Sequence, residues 1–125
     1  MSMVETHEEV LELLLAGRTL TPYAAGEHIF EEGDAGDGMY VMGSGTVVLK
    51  HGDHVVETVT APGLFGEMAL IENEPRALTA VAEADAEVLK LTERQFWVLV
   101  HETPYFARVV MRVMSRRLRR AAGAT

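Results

Sequence analysis

Glu67 and Arg76, nine residues apart, are the pair best placed to do chemistry in this sequence. Glu67 stands inside Gly63-Leu64-Phe65-Gly66-Glu67-Met68-Ala69-Leu70-Ile71, a stretch with two glycines and a carboxylate between apolar residues. Arg76 follows Pro75 and precedes Ala77-Leu78-Thr79-Ala80. An arginine with such neighbours lies against a barrel wall, and its planar donor fork fits two phosphate oxygens. A glycine-led turn that opens a short helix presents free backbone N–H groups to an anion. Glu67 is suited to accept from a neutral donor such as a ribose hydroxyl, and to help hold Arg76. The two together describe a site for a group with one anionic phosphate and one hydroxyl. The rival reading is a structural ion pair between Glu67 and Arg76 in a generic jelly roll.

The other clusters carry less. His51-Gly52-Asp53-His54 reads as a polar hairpin tip, and the HxH of a cupin metal site is absent. The acidic loop Glu31–Asp37 lacks the alternation and terminal glutamate of an EF-hand and reads as a tight connection. Met39, Met42, Met68, Met111 and Met114 read as core filler, and Phe96 and Trp97 as packing for a short helix. Ser44 and Ser115 have no nucleophile context. No nucleophile–base pair, carboxylate dyad or metal set emerges, so an enzyme is not expected.

Three kinds of segment must position Glu67 and Arg76. Thr6–Ala16 reads as a helix, with Thr6 as N-cap, Glu9 at the capping-box spacing and Gly17 closing the end. From Leu20 to Leu91 the chain consists of short apolar runs broken by turn residues: 28–30, 39–42, 46–50, 55–59, 77–81 and 87–91. That spacing predicts an antiparallel sandwich, barrel or jelly roll, with a hairpin around Gly52-Asp53. After Thr92 the pattern turns helical. Thr92 caps a helix over 93–101, and Thr103 caps a second helix with Pro104 at its first position. Phe106, Val110, Met114 and Leu118 form its apolar row, with Val109 and Val113 beside it and Arg108, Arg112, Arg116 and Arg119 opposite.

The 125 residues are long enough for one packed domain and carry a net charge of −8. The charge is divided unevenly. Residues 1–107 hold five basic and 19 acidic residues, 5 − 19 = −14, while 108–125 hold six arginines and no acid. An acidic body does not suit phosphate-backbone contacts, so direct nucleic-acid binding is not expected. The arginines read as a solvated face or a face for the acidic body or an acidic partner. No membrane span and no signal peptide are expected. The absence of cysteine fits a reducing, cytoplasmic compartment.

Two ordered motifs resemble a known family. Gly26-Glu27-His28-Ile29-Phe30-Glu31-Glu32-Gly33-Asp34-Ala35-Gly36-Asp37-Gly38-Met39-Tyr40-Val41, with the turn Gly43-Ser44-Gly45, is similar to the first signature of cyclic nucleotide-binding domains. Phe65-Gly66-Glu67-Met68-Ala69-Leu70 with Pro75-Arg76-Ala77 resembles their phosphate-binding cassette. The relatives are catabolite-activator-type regulators, cyclic-nucleotide-dependent kinases and cyclic-nucleotide-gated channels. The resemblance implies a mainly β fold with α: an antiparallel β-roll or jelly roll, an N-terminal helix and a two-helix C-terminal lid. It implies one domain over 1–125, made of the N-terminal helix (1–19), the β-roll (20–91) with its cassette (63–80), and the C-terminal helices (92–125).

The resemblance also implies roles. Glu67 falls at the ribose 2′-hydroxyl position and Arg76 at the cyclic phosphate, with Gly66, Met68, Ala69, Leu70 and Ala77 lining the pocket through backbone groups and Phe65 and Leu78 beside them. Ala77 stands where cGMP-selective relatives often carry threonine, which leans toward cAMP. Dimeric relatives place a Thr-Ser pair after Arg-Arg-Leu to touch the adenine, whereas here Arg119-Arg120-Ala121-Ala122 follows Arg116-Arg117-Leu118. In some channel relatives an arginine of this helix covers the base, a role open to Arg116, Arg117 or Arg119. The implied ligand is a regulatory cyclic mononucleotide, cAMP or cGMP, with no separate cofactor. Output is expected to reach an effector domain or partner protein outside this chain, with a homodimer through the 104–120 helix as one expected assembly. The alternative is a non-binding interaction module of the same fold.

Overall fold

The computed structural model describes residues 7–123. The element order is α1 (His7–Leu15), β1 (Thr21–Tyr23), β2 (His28–Phe30), β3 (Gly38–Ser44), β4 (Thr46–His51), β5 (His54–Thr60), β6 (Leu64–Phe65), α2 (Glu67–Glu72), β7 (Thr79–Ala82), β8 (Ala86–Thr92), α3 (Glu93–Glu102) and α4 (Pro104–Ala121). Two four-stranded sheets, ordered β1-β8-β3-β6 and β2-β7-β4-β5, are antiparallel throughout. This is the expected β-roll with helices before and after it. Among the described residues no helix is long and apolar enough to cross a membrane.

Side-chain alternation builds two cores from one sheet. Along β3, Tyr40 and Met42 point between the sheets, where they meet Phe30, Val47, Leu49, Val59, Phe65 and Val88. Met39 and Val41 point the other way, onto Leu11 of α1, Phe96 of α3 and Phe106, Val109, Val110 and Val113 of α4. β3 is buried on both faces, so its sequence reads as an unbroken apolar run. The helices therefore pack on the back of the sheet that carries β6 and leads into α2.

Local signals account for most boundaries. The Thr92 side chain accepts from Gln95 N, and the Gln95 side-chain oxygen accepts from Thr92 N in return, a complete capping box. Thr103 does not cap α4 with its side chain, contrary to expectation, and its carbonyl takes the Phe106 N–H instead. The expected Thr6 cap lies outside the described residues. The expected strand over 77–81 begins only at Thr79. Arg76 is the reason: its N–H donates to Asp34 O and its carbonyl accepts from Gly33 N, holding the backbone to the acidic loop rather than to the sheet. β1 and β6, three and two residues long, are too short to show a period in sequence.

The apolar row of α4 lies where expected but is buried only along its first part. Phe106, Val109, Val110 and Val113 are buried, but Leu118 is 58% exposed. Met111 is 61% exposed and so is not core filler, and Trp97 is 48% exposed, touching Phe96 edge-on without being enclosed. The body that α4 packs on ends near Val113, so the last two turns of the helix run past the hydrophobic core.

Candidate functional site

Gly66 ends β6 and begins α2 with φ 85, a left-handed conformation that favours glycine. A Cβ there would lie 2.9 Å from Arg76 Nη1. Gly66 is thus required twice, for the turn and for the close approach of Arg76. The turn directs Glu67 inward, where it is fully buried.

Arg76 reaches the site from the loop before β7 and is 4% exposed. Its Nη1 donates to Gly66 O and its Nη2 to Gly38 O, both at 2.6 Å. The guanidinium carbon sits 4.2 Å from the Phe30 ring centroid. Burial pulls its pKa below the ordinary guanidinium value, against the opposing influence of Tyr40, Asp37, Glu67 and Asp34. Asp37 is the nearest acid, at 4.0 Å. Burial also raises the Tyr40 phenol.

Glu67 does not hold Arg76 directly, contrary to expectation, and the rival reading of an ion pair between them is not met either. Arg76 is held by two backbone carbonyls, and Glu67 pairs with Arg117 of α4, whose Nη1 donates to Glu67 Oε1 at 2.6 Å. The same guanidinium grips Glu57 of β5 with two bonds, Nε to Oε1 at 2.8 Å and Nη2 to Oε2 at 3.1 Å. Nη2 also donates to Leu64 O at 2.9 Å. Burial alone would lower the Arg117 pKa, but hydrogen bonds and charge from Glu57 and Glu67 outweigh it and hold it above the ordinary value. Arg120 Nη1 adds an ion pair with Glu57 Oε1 at 3.1 Å.

A cavity of about 330 Å³ joins these groups. Gly66, Glu67, Met68, Ala69, Arg76, Ala77 and Leu78 line it, together with Phe30, Leu49, His54, Val56, Glu57, Arg117, Arg120 and Ala121. Phe65 and Leu70, also expected at the site, are not among the residues lining this cavity, and their side chains turn into the two cores. Arg117 is the only one of the three arginines proposed as a base cover to reach the cavity; Arg120, which was not among them, also does. Sequence reasoning missed Glu57 as well. The one signal for it was an acid at an inward position of β5, two residues before the buried Val59.

Two buried polar atoms of the residues that line this cavity are unsatisfied. Glu67 Oε2 and Arg76 Nε are buried without a partner, and among the described residues the only other such side-chain atom is His7 Nδ1. Buried polar groups are normally paired, so each exception needs an explanation. Here one is an acceptor and one a donor, in residues that line one cavity.

The family model for the cyclic nucleotide-binding domain matches residues 20–103. The chain belongs to this family. It is 34% identical over 118 residues to the cyclic AMP receptor protein of Thermus thermophilus, covering 90% of this chain and 55% of that protein. The crystal structure of the Thermus thermophilus catabolite activator protein superposes with a TM-score of 0.77 at 32% identity, over 91% of this chain and 56% of the other. The type II regulatory subunit of the Drosophila melanogaster cAMP-dependent protein kinase is 35% identical over 92 residues, 74% of this chain and 22% of that one. The chain therefore spans about half of the Thermus protein, or less of the kinase subunit. It is a cyclic nucleotide-binding regulatory domain, and the model's match covers the cassette with both Glu67 and Arg76.

Proposed function

We propose that this domain senses a cyclic mononucleotide, preferentially cAMP, through its ribose-phosphate end. Arg76 pairs with the cyclic phosphate through Nε and the free hydrogens of its Nη groups. Glu67 accepts the ribose 2′-hydroxyl at Oε2. The observation that carries this reading is an unpaired buried donor and an unpaired buried acceptor in two residues that line one cavity. Its volume lies at the lower end of the range usual for small-molecule sites. Gly66, Met68, Ala69, Ala77 and Leu78 supply the surrounding wall. The lean toward cAMP rests on Ala77, which offers no hydroxyl to a guanine.

The ligand signal leaves through α3 and α4, because Arg117 links the Glu67 carboxylate to α4. A ligand shifts such an equilibrium only by its difference in affinity for the two arrangements. The receiver is an effector domain or partner protein outside these residues, in the cytoplasm, and the role is regulatory rather than catalytic. Calorimetry with cAMP and cGMP on the wild type and Arg76→Ala tests the reading, and wild-type affinity in the variant would end it.

Met111 and Leu118 favour a second element of the proposal. They are exposed on α4 and seven residues apart, two turns along one face. A homodimer through 104–120 would cover them. Sedimentation should then show a dimer that Leu118→Glu converts to monomer; an unchanged mass in the variant would count against that interface.

A further inference from the structure

We propose that Glu57 is a positioning residue for ribose recognition, acting through Arg117. This rests on the assignment of Glu67 Oε2 to the 2′-hydroxyl. β4 and β5 pair Leu49 with Glu57 but Lys50 with Val55, so β5 spends two residues where β4 spends one. Such a bulge re-aims side chains. Here Val56 and Glu57, consecutive in sequence, both line the cavity.

The Glu57 carboxylate, 18% exposed, receives Nε and Nη2 of Arg117 side by side. A bidentate fork fixes the plane of a guanidinium as well as its position. With two of its nitrogens fixed on Glu57 and Nη2 also bonded to Leu64 O, Arg117 directs Nη1 at Glu67 Oε1. That bond occupies one carboxylate oxygen and leaves Oε2 as the free acceptor. The orientation of the ribose acceptor is thus set by a strand and a helix outside the cassette. Glu57 touches no part of the cassette by hydrogen bond or ion pair in this arrangement; its influence passes through Arg117.

The prediction concerns selectivity for ribose over deoxyribose rather than affinity alone. A site built around a hydroxyl rejects an analogue that lacks it. The wild type should bind 3′,5′-cyclic AMP roughly tenfold to a hundredfold more tightly than its 2′-deoxy analogue, the range for one hydrogen bond to a charged group. Glu57→Gln keeps the shape and removes the charge. Arg117→Lys keeps the charge and removes the fork. Both should shrink the ratio severalfold, measured by calorimetry on protein shown folded by circular dichroism. If both ligands weaken equally in both variants, Glu57 is merely structural and the inference fails. The same holds if the full ratio is retained. A wild type that does not distinguish the two ligands would instead overturn the Glu67 assignment itself.

Discussion

Replacing Arg76 with alanine is the most informative perturbation of this domain. The side chain is 4% exposed and spans the cavity wall between Gly66 and Gly38. Its removal has two consequences of different size. For binding, the phosphate charge would enter a buried site without its counter-charge. Truncating one partner of a buried, hydrogen-bonded charge pair costs about 2–5 kcal/mol. At 1.4 kcal/mol per decade that weakens cAMP by roughly 30-fold to several thousandfold. For folding, the Gly66 and Gly38 carbonyls lose a charged donor each, worth about 1.5–3 kcal/mol apiece. Release of a charge whose burial is unfavourable, as its lowered pKa shows, offsets part of that loss. The unliganded variant should therefore melt only moderately lower than wild type while losing the thermal shift that cAMP confers. Calorimetry and melting curves with and without 1 mM cAMP (roughly a saturating level for micromolar affinity) read both effects. A folded Arg76→Ala protein that keeps wild-type affinity would refute the phosphate assignment.

Two further predictions concern backbone and pH. Gly66→Ala should lose about 1–2 kcal/mol for the left-handed backbone alone. It should also weaken cAMP binding by displacing Arg76 Nη1, which lies 2.9 Å from the new Cβ; denaturant melts and calorimetry check both parts. His7 has its pKa lowered from 6.5 by burial and by Arg116 and Arg112, against Glu8. A base with a lowered folded pKa leaves the unfolded state binding more protons, so stability falls as pH drops through 6.5. His7→Gln should flatten that slope between about pH 7.5 and 5.5 in urea titrations, and an unchanged slope would show that His7 is not its source.

Much of the fold was legible because its signals are local. The alternating run 46–50, Gly52 and 55–59 specified a hairpin, and β4 and β5 form it over Thr46–His51 and His54–Thr60. Thr92 placed the start of α3 at Glu93, and the structure adds Gln95 as its capping-box partner. β6 was not legible, since Leu64-Phe65 becomes a strand only by pairing with Val41 and Tyr40. Trp97 was read as packing and Leu118, by its spacing, as part of the apolar row, yet burial depends on what stands opposite, and nothing in the described chain stands opposite them closely enough to cover them.

The sequence by itself determined the ingredients of the site: Gly66, which the turn requires, Glu67 after it, and an arginine among apolar neighbours in an acidic chain. These rest on backbone conformation and residue chemistry, which act over a few positions. Only the tertiary structure decided the partners. It gave Arg76 to two carbonyls rather than to Glu67, and gave Glu67 to Arg117, 50 residues away. Those choices depend on where β3, β5 and α4 meet in space. A bulge in one sheet and the packing of α4 on the other bring Glu57, Arg117 and Glu67 within hydrogen-bonding distance, and no pattern along the chain encodes that meeting.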